Sequence, residues 1–383
     1  MKYLAKIALA ALLVGAVGSG QPRAAAQDPK PAAKNIDLCI CLDISGSMNG
    51  LVDSARAKLW DIVNELARIQ PAPNLRVALY SYGGTAKNGY SADLGWVRRE
   101  LDLTTDLDAL YQKLFALKIG GGLEYVTRVC RDAVEQQPWS QDKDALKIIF
   151  VCGNEPASQD KVVSLKEAAD KAKAKNIIIN PIFCGPAQHR DARDWIEFTK
   201  LTGGRFASID QNRGAVPVVA TPMDKKLVEL GAQMNGTYVT YGKKGESKAQ
   251  NQLAQDANAA KGGAYVAASR IVTKNSALYR CDDWDLVDRI KHDPKFDVTK
   301  VPEAELSEAL RKLTPEQRVA HVKEMAAKRE SLQKQIDELT VQRNAHIQKE
   351  LKRQQGQTTQ VFDAALRETL RLQAATRGIK IPD

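Results

Sequence analysis

The sequence predicts an α/β fold: a doubly wound, mostly parallel sheet followed by a helical C-terminal region. Two short segments, 36–42 and 145–152, are almost continuously apolar, which is typical of strands buried on both faces. Segments with a helical spacing of apolar residues, beginning with 51–69, alternate with such strands. Because parallel strands need crossover connections, this alternation indicates a parallel sheet with helices on both faces.

The other elements of this half follow from local signals. Residues 104–106 form a capping sequence, Thr-Thr-Asp, and predict a helix start. Pro and Gly clusters separate the segments. The further predicted strands are 75–81, 96–103 at an edge of the sheet, 176–184 and 205–209. The further predicted helices are the one carrying Leu107, Leu110, Leu114 and Leu117, then 124–137, 160–175 and 191–201.

The second half is predicted to be mainly helical. Residues 220–300 form a connecting region with one isolated strand, 237–241, and a polar helix, 245–263, that has few large apolar groups. Residues 251–268 cannot build a core of their own and must lean on the first domain. Residues 301–383 form a helical tail. Its long helix starts at Thr314-Pro315 and ends near 355, and a final helix covers 361–377.

Apolar residues recur along one side of the long helix with a seven-residue repeat and form a seam. Arg329 and Arg343 interrupt this seam. Two interpretations stay open: a helical hairpin packed on itself, or a coiled coil that allows self-association through the tail. The seam residues are Val322, Met325, Leu332, Ile336 and Leu339.

The N-terminus is typical of a secretory signal peptide, residues 1–26, with a short basic segment, an apolar core and cleavage near Ala26. An uncleaved anchor is the alternative. Residues 27–34 form a linker, and no later segment is apolar enough to span a bilayer. We therefore expect a periplasmic or secreted protein.

The chain carries 56 Lys and Arg against 46 Asp and Glu, a formal charge of +10. The excess is spread along the chain without a basic run, so nucleic-acid binding is not predicted. None of the six cysteines shows the C-x-x-C spacing of zinc or redox sites. Cys39 and Cys41 share one face of the first strand and are expected to be small buried hydrophobes.

Three oxygen-bearing residues, Asp43, Ser45 and Ser47, follow the first strand directly. They therefore lie at the carboxyl edge of the predicted sheet, which we call the crest, where α/β proteins bind ligands. One carboxylate and two hydroxyls are hard oxygen ligands suited to Mg²⁺ or Mn²⁺.

With the apolar strand before it and the helix after it, this D-x-S-x-S pattern resembles the metal-ion-dependent adhesion site of von Willebrand factor type A domains. The resemblance implies such a domain over 35–219, recognising a protein or matrix partner at the crest. It also implies a cation with an open position for an acidic side chain of the partner. In the family's strand order, Cys152 and Cys184 fall on neighbouring strands and could pair.

Two positions depart from the family's pattern. Leu123 stands where the family has a metal-binding Thr, and Gly153 stands where it has an Asp. Glu124, next to Leu123, could supply a carboxylate oxygen to the cation instead. Its alternative role is a favourable negative charge at a helix N-terminus.

The predicted function is an exported protein-binding module without enzymatic activity. The alternative is a metal-free scaffold or assembly protein of the cell envelope. A remote alternative is a serine hydrolase, in which Ser45 or Ser47 would be the nucleophile and His189, the only histidine near the crest, the base. Neither serine lies in a G-x-S-x-G sequence, and the chain has no H-E-x-x-H or Walker sequence.

Overall fold

The computed structural model describes residues 33–48, 60, 62–208, 219–354 and 362–381. Six strands form one sheet in the order β3-β2-β1-β4-β5-β6. All neighbouring strands are parallel except β2 and β3. The strands are β1 (Asn35–Asp43), β2 (Asn74–Tyr82), β3 (Val97–Thr104), β4 (Leu146–Gly153), β5 (Ile178–Phe183) and β6 (Ala207–Ser208). The predicted fold class is confirmed, including the edge position of the third strand.

Burial along the strands explains their sequences. Every residue of β4 is buried, and so is every residue of β1 after Asn35, because these strands lie in the middle of the sheet. β3 is mostly half-exposed, as expected for an antiparallel edge strand. Asp43 is paired with Tyr82, and Tyr82 with Val97. The loops that leave β1, β2 and β4 therefore meet the start of β3 at the crest.

Helices cover both faces of the sheet. One face carries α1 (62–67) and α2 (Leu107–Ala116), and the other carries α3 (Val126–Gln136), α4 (Leu165–Ala174) and α5 (Ala192–Thr202). Each face has its own apolar core. Residues 49–59 and 61, which include the start of the predicted helix 51–69, lie outside the described residues.

Two helix starts differ from the prediction. The helix predicted over 124–137 begins at Val126, and the one predicted over 160–175 begins at Leu165. Asp160 does not start a helix because its carboxylate accepts two hydrogen bonds from Arg128, at 2.8 and 2.9 Å. The helix starts instead after Ser164, whose side chain caps it.

The second half is helical, as predicted. Its helices are α6 (Asp224–Asn235), α7 (Gly245–Lys261), α8 (Ala264–Asn275), α9 (Leu286–His292), α10 (Glu308–Arg311), α11 (Pro315–Gln354) and α12 (Phe362–Ala375). The polar helix α7 packs against α2, so it leans on the first half of the chain as expected. The predicted strand 237–241 is wrong, because only Thr240 and Tyr241 pair, each through a single isolated bridge.

Helix α11 packs against α6, α8 and α9 of the same chain. The predicted seam is the face that it buries, since Val322, Leu332 and Ile336 are in contact with those helices. Any self-association of the tail would therefore use other faces of α11. The hairpin and coiled-coil interpretations remain predictions.

The two arginines that interrupt the seam are buried and form ion pairs, so they do not mark an exposed part of the helix. The Arg329 guanidinium donates to Asp285 at 2.6 Å and to Asp288 at 3.0 Å. Arg343 donates to Asp224 at 2.8 Å. These contacts fix α11 to the helices that precede it in the chain.

The last described helix returns to the sheet. Helix α12 packs against β6, and the amides of Gln373 and Asn180 exchange two hydrogen bonds, at 2.7 and 2.9 Å. Arg371 lies 3.0 Å from the buried carboxylate of Glu65 in α1. The end of the chain therefore contributes to the same apolar core as the sheet, through Leu370 and Ile379.

All six cysteines are buried free thiols. Cys39 and Cys41 are fully buried in the core, as predicted. Strands β4 and β5 are neighbours, but Cys152 is paired with Ile182, and Cys184 lies two residues further, past the end of β5. The pairing of Cys152 with Cys184 that the resemblance suggested is absent.

The described residues from Ala33 onward pack as one compact unit. The division into 35–219, 220–300 and 301–383 remains a prediction. None of the described helices is long and apolar enough to cross a membrane. The predicted signal peptide, 1–26, and nearly all of the linker, 27–34, lie outside the described residues.

Candidate cation site at the crest

The first loop of the crest places its three oxygen-bearing side chains in one chain of hydrogen bonds. Asp43 is the last residue of β1, and its Oδ1 accepts the Ser45 N–H at 2.7 Å. The Ser45 and Ser47 hydroxyls lie 2.9 Å apart, and Ser47 donates to Asn154 Oδ1 at 3.0 Å. Asp43 and Ser45 are buried, whereas Ser47 is exposed. The three predicted residues are thus brought together, with Ser47 facing solvent.

Glu124 is brought to the same place by the loop before α3. The Gly120 N–H donates to the Ile44 carbonyl at 2.9 Å and joins this loop to the first one. The Glu124 N–H donates to Gln159 Oε1 at 2.8 Å. Glu124 is 7% exposed. Its carboxyl group lies within hydrogen-bonding range of the Asp43 carboxyl group and of the Ser45 hydroxyl.

A glycine makes room for the two facing carboxyl groups. A Cβ on Gly83 would lie 2.8 Å from Asp43 Oδ1 and 3.2 Å from the Glu124 Cγ. Gly83 also has a φ of +76°, in the left-handed region that favours glycine. The loop after β2 therefore contributes space rather than a ligand.

Burial makes both carboxyl groups hard to ionise. Desolvation raises the pKa of Asp43 to about 6, against hydrogen bonds that favour its charged form. It raises the pKa of Glu124 to about 9, and repulsion from Asp43 adds to this. Glu155 adds a smaller repulsion to both. Without a cation, the pair is therefore expected to retain a proton at neutral pH.

The residues present fit a small divalent cation. Asp43 Oδ2 and Glu124 Oε2 are buried oxygen atoms to which no N–H or hydroxyl group of the described residues donates, so either a retained proton or a bound cation must satisfy them. Such atoms are costly to bury unless something binds them. No group of three or more His, Cys, Asp or Glu placed to hold a metal occurs among the described residues. Mg²⁺ nevertheless often takes one or two carboxylates with water in its other positions, and two neutral hydroxyls are available here.

The two departures from the family pattern have different structural consequences. Leu123 is 49% exposed, so the position opposite the first loop presents an aliphatic side chain to solvent. Gly153 is sealed, because a Cβ there would lie 2.4 Å from the Tyr82 hydroxyl and 3.1 Å from the Trp195 ring. Tyr82 in turn donates to the Cys152 carbonyl at 2.8 Å. An Asp at 153 would not fit this packing.

Asn154 is a site residue that sequence reasoning missed. It lies one position after the family's Asp and touches Ser47 through its side-chain oxygen. The available signal was its position directly after β4, at the same edge as Asp43. Tyr82 and Gly83 were missed as well, because nothing local shows that they pack against this site.

The structure gives no support to the hydrolase interpretation. His189 is half exposed and its Nδ1 lies 3.4 Å from an Asp191 carboxylate oxygen. Among the described residues, the hydroxyls of Ser45 and Ser47 contact each other, Asn154 and the carboxyl groups of Asp43 and Glu124, and none of these hydrogen bonds goes to a histidine. A serine nucleophile needs a base within hydrogen-bonding reach.

The comparison with protein families agrees with this geometry. Residues 37–204 match the von Willebrand factor type A domain. This confirms the predicted type A domain for that part of the chain, which is less than half of its length. No curated protein matches the chain.

Several solved structures are similar to the chain over 47% of its length, at low identity. One is proximal thread matrix protein 1 from the mussel byssus with a zinc-occupied MIDAS motif, at 12% identity and a TM-score of 0.37. Others are the SpRpn10 VWA domain, at 15% and 0.35, and the pilus adhesin SpaC from Lactobacillus rhamnosus GG, at 11% and 0.34. The chain covers 43%, 91% and 28% of these three. At these identities and TM-scores, the similarities give no information about function.

The facing carboxyl groups predict a pH dependence of stability. Their pKa values in the folded state lie above the ordinary values of 3.8 and 4.5, so the folded protein holds more protons than the unfolded chain. With a chelator present, their contribution to the free energy of unfolding should be complete below pH 4 and be lost as pH rises towards about 9. Urea unfolding at several pH values checks this.

The matched control for this pH dependence is Glu124→Gln, which keeps the shape of the side chain and cannot ionise. It should remove most of the fall in stability between pH 6 and 9, where Glu124 titrates. Equal slopes for Glu124→Gln and the unchanged protein would contradict the burial of this pair.

Proposed function

We propose that this chain is an exported protein-binding module that uses the crest of its type A domain and holds Mg²⁺ or Mn²⁺ there. Asp43 and Glu124 would supply the negative charges, and Ser45 and Ser47 the neutral oxygens. The observation that carries the cation is the pair of buried carboxyl oxygens without a hydrogen-bond partner, Asp43 Oδ2 and Glu124 Oε2. A divalent cation would bind both oxygens and offset both charges.

When bound, the cation would lie between the carboxyl groups of Asp43 and Glu124, whose two negative charges offset its own. The type A resemblance predicts that an acidic side chain of the partner meets it. This chain's own residues prepare the place: Asp43 holds the first loop through the Ser45 N–H, and Ser47 faces solvent. Binding of a partner protein would thus occur on the exposed side of Ser47.

Exposed aliphatic side chains support partner binding at this edge of the sheet. Leu94, Leu123 and Val162 are 64%, 49% and 71% exposed, and they lie on three different loops of the crest. A single exposed aliphatic residue is common on protein surfaces, whereas three on neighbouring loops offer apolar contact area. The centre of a protein–protein interface is usually apolar.

The proposal predicts that Asp43→Asn abolishes cation binding. The amide keeps an acceptor for the Ser45 N–H but removes the charge that the cation needs. Calorimetric titration of the mature protein with Mn²⁺ and Mg²⁺ measures this, with Asp93→Ala as the control, because Asp93 is an exposed carboxylate on a neighbouring loop. Absence of binding heat in the unchanged protein would contradict the proposed cation site.

Partner binding is tested with the same proteins. Immobilised protein is incubated with envelope extract, with and without a chelator, and the captured partner is quantified. Loss of capture on chelation, and in Asp43→Asn but not in Asp93→Ala, is the expected result.

A metal-free scaffold is the second candidate, because Leu123 and Gly153 replace two of the family's oxygen-bearing residues. For this candidate, capture would be the same with chelator and in Asp43→Asn. The location in the cell envelope rests on residues 1–26 alone.

A further inference from the structure

We propose that Glu124 takes the place of the partner's carboxylate, so that the cation is coordinated and charge-balanced entirely from within this chain. This inference rests on the proposed cation at Asp43. It concerns what kind of partner the crest accepts.

The backbone at 123–124 turns one side chain out and the next one in. Leu123 is 49% exposed, whereas Glu124 is 7% exposed and its carboxyl group faces Asp43. The Glu124 N–H is held by Gln159 at 2.8 Å. Leu123 thus replaces the neutral Thr ligand of the family, and the next residue, Glu124, supplies a carboxylate instead.

The charges of the site are already complete. Asp43 and Glu124 together carry two negative charges, which equal the charge of Mg²⁺ or Mn²⁺, and the nearby hydroxyls of Ser45 and Ser47 are neutral. A partner's carboxylate would add a third negative charge beside two buried ones, which Glu155 already repels. Like charges at short distance in a buried site are unfavourable.

The space for another carboxylate within the site is also limited. The first loop, the loop before α3 and the loop after β2 close around Asp43 and Glu124, and even a Cβ on Gly83 would meet both side chains. The exposed side of the site, at Gly46 and Ser47, suits water or a neutral oxygen. Partner recognition would then rest on the exposed aliphatic side chains rather than on an acidic residue.

The test is a Mn²⁺ titration in the presence and absence of acetate, with ionic strength held at about 0.15 M. The unchanged protein should bind Mn²⁺ with the same affinity in both. Glu124→Ala should lose at least about tenfold in affinity and regain part of it in acetate, because acetate fits the space that the side chain leaves. Acetamide, a neutral molecule of the same shape, should not restore it.

Glu124→Gln is the second variant, because it preserves the packing. It should lose affinity without recovery in acetate, since the amide still fills the position. A several-fold rise in the Mn²⁺ affinity of the unchanged protein with acetate would show an open position and overturn the inference, while leaving the proposed cation intact. An Mn²⁺ affinity of Glu124→Ala equal to that of the unchanged protein would also overturn the inference. Absence of Mn²⁺ binding by the unchanged protein would overturn the proposed cation itself.

Discussion

Replacing Arg329 with alanine should destabilise the folded chain by about 3–5 kcal/mol, the usual cost of removing one partner from a buried ion pair. Arg329 donates to Asp285 at 2.6 Å, to Asp288 at 3.0 Å and to the Thr237 carbonyl at 2.7 Å. Its guanidinium also lies 4.0 Å from the centre of the Tyr238 ring. Without it, two buried carboxylates keep only backbone N–H donors and lose their positively charged partner, and the Thr237 carbonyl loses a donor.

The free energy of unfolding, from urea titration followed by circular dichroism, measures this effect. Lys328→Ala is the matched control, because Lys328 is the adjacent exposed residue of the same helix, and its change should stay within about 0.5 kcal/mol. Arg329→Lys should fall between the two, since an ammonium keeps the charge but lacks the planar fork. A loss below about 1 kcal/mol in Arg329→Ala would mean that this pair is solvated.

Restoring the family's Asp with Gly153→Asp should destabilise the protein by about 1–3 kcal/mol through overpacking. The new side chain would start 2.4 Å from the Tyr82 hydroxyl and 3.1 Å from the Trp195 ring. It would also displace the hydrogen bond from Tyr82 to the Cys152 carbonyl. We therefore expect weaker folding, and no gain in Mn²⁺ affinity.

Leu123→Thr is the companion variant, because it restores the family's other missing residue at an exposed position. Its free energy of unfolding should change by no more than about 0.5 kcal/mol. Adding Tyr82→Phe to Gly153→Asp removes the nearest clashing atom and should recover part of the lost stability. Thermal unfolding that is unchanged in Gly153→Asp alone would contradict the sealed packing around this position.

The placement of Asp43, Ser45 and Ser47 could be predicted because it depends on neighbours in the sequence. An apolar run, a turn and an amphipathic segment follow one another within residues 36–69, and the carboxyl end of the strand comes directly before the three residues. Glu124 could be proposed only by comparison with the family. It can lie against Asp43 because Gly83, some forty residues away in the chain, has no side chain to fill that space.

The long helix shows the opposite case. Arg329 and Arg343 looked like breaks in an apolar seam, because charged residues are rarely buried without a partner. Their partners are 44 and 119 residues distant, at Asp285 and Asp224. Only the folded chain brings these residues together. The return of α12 to β6 is likewise invisible to any local pattern.

The sequence by itself determined the α/β class and the first loop of the crest, because strand burial, turn residues and helical spacing are local properties of the chain. The type A domain followed from the resemblance of the D-x-S-x-S pattern to that family. The tertiary structure decided which side chains share the site. It turned Glu124 inward and Leu123 outward, sealed Gly153 behind Tyr82, and placed Asn154 on Ser47. These outcomes depend on packing between segments distant in sequence, where space and buried charge, rather than local preference, set the conformation.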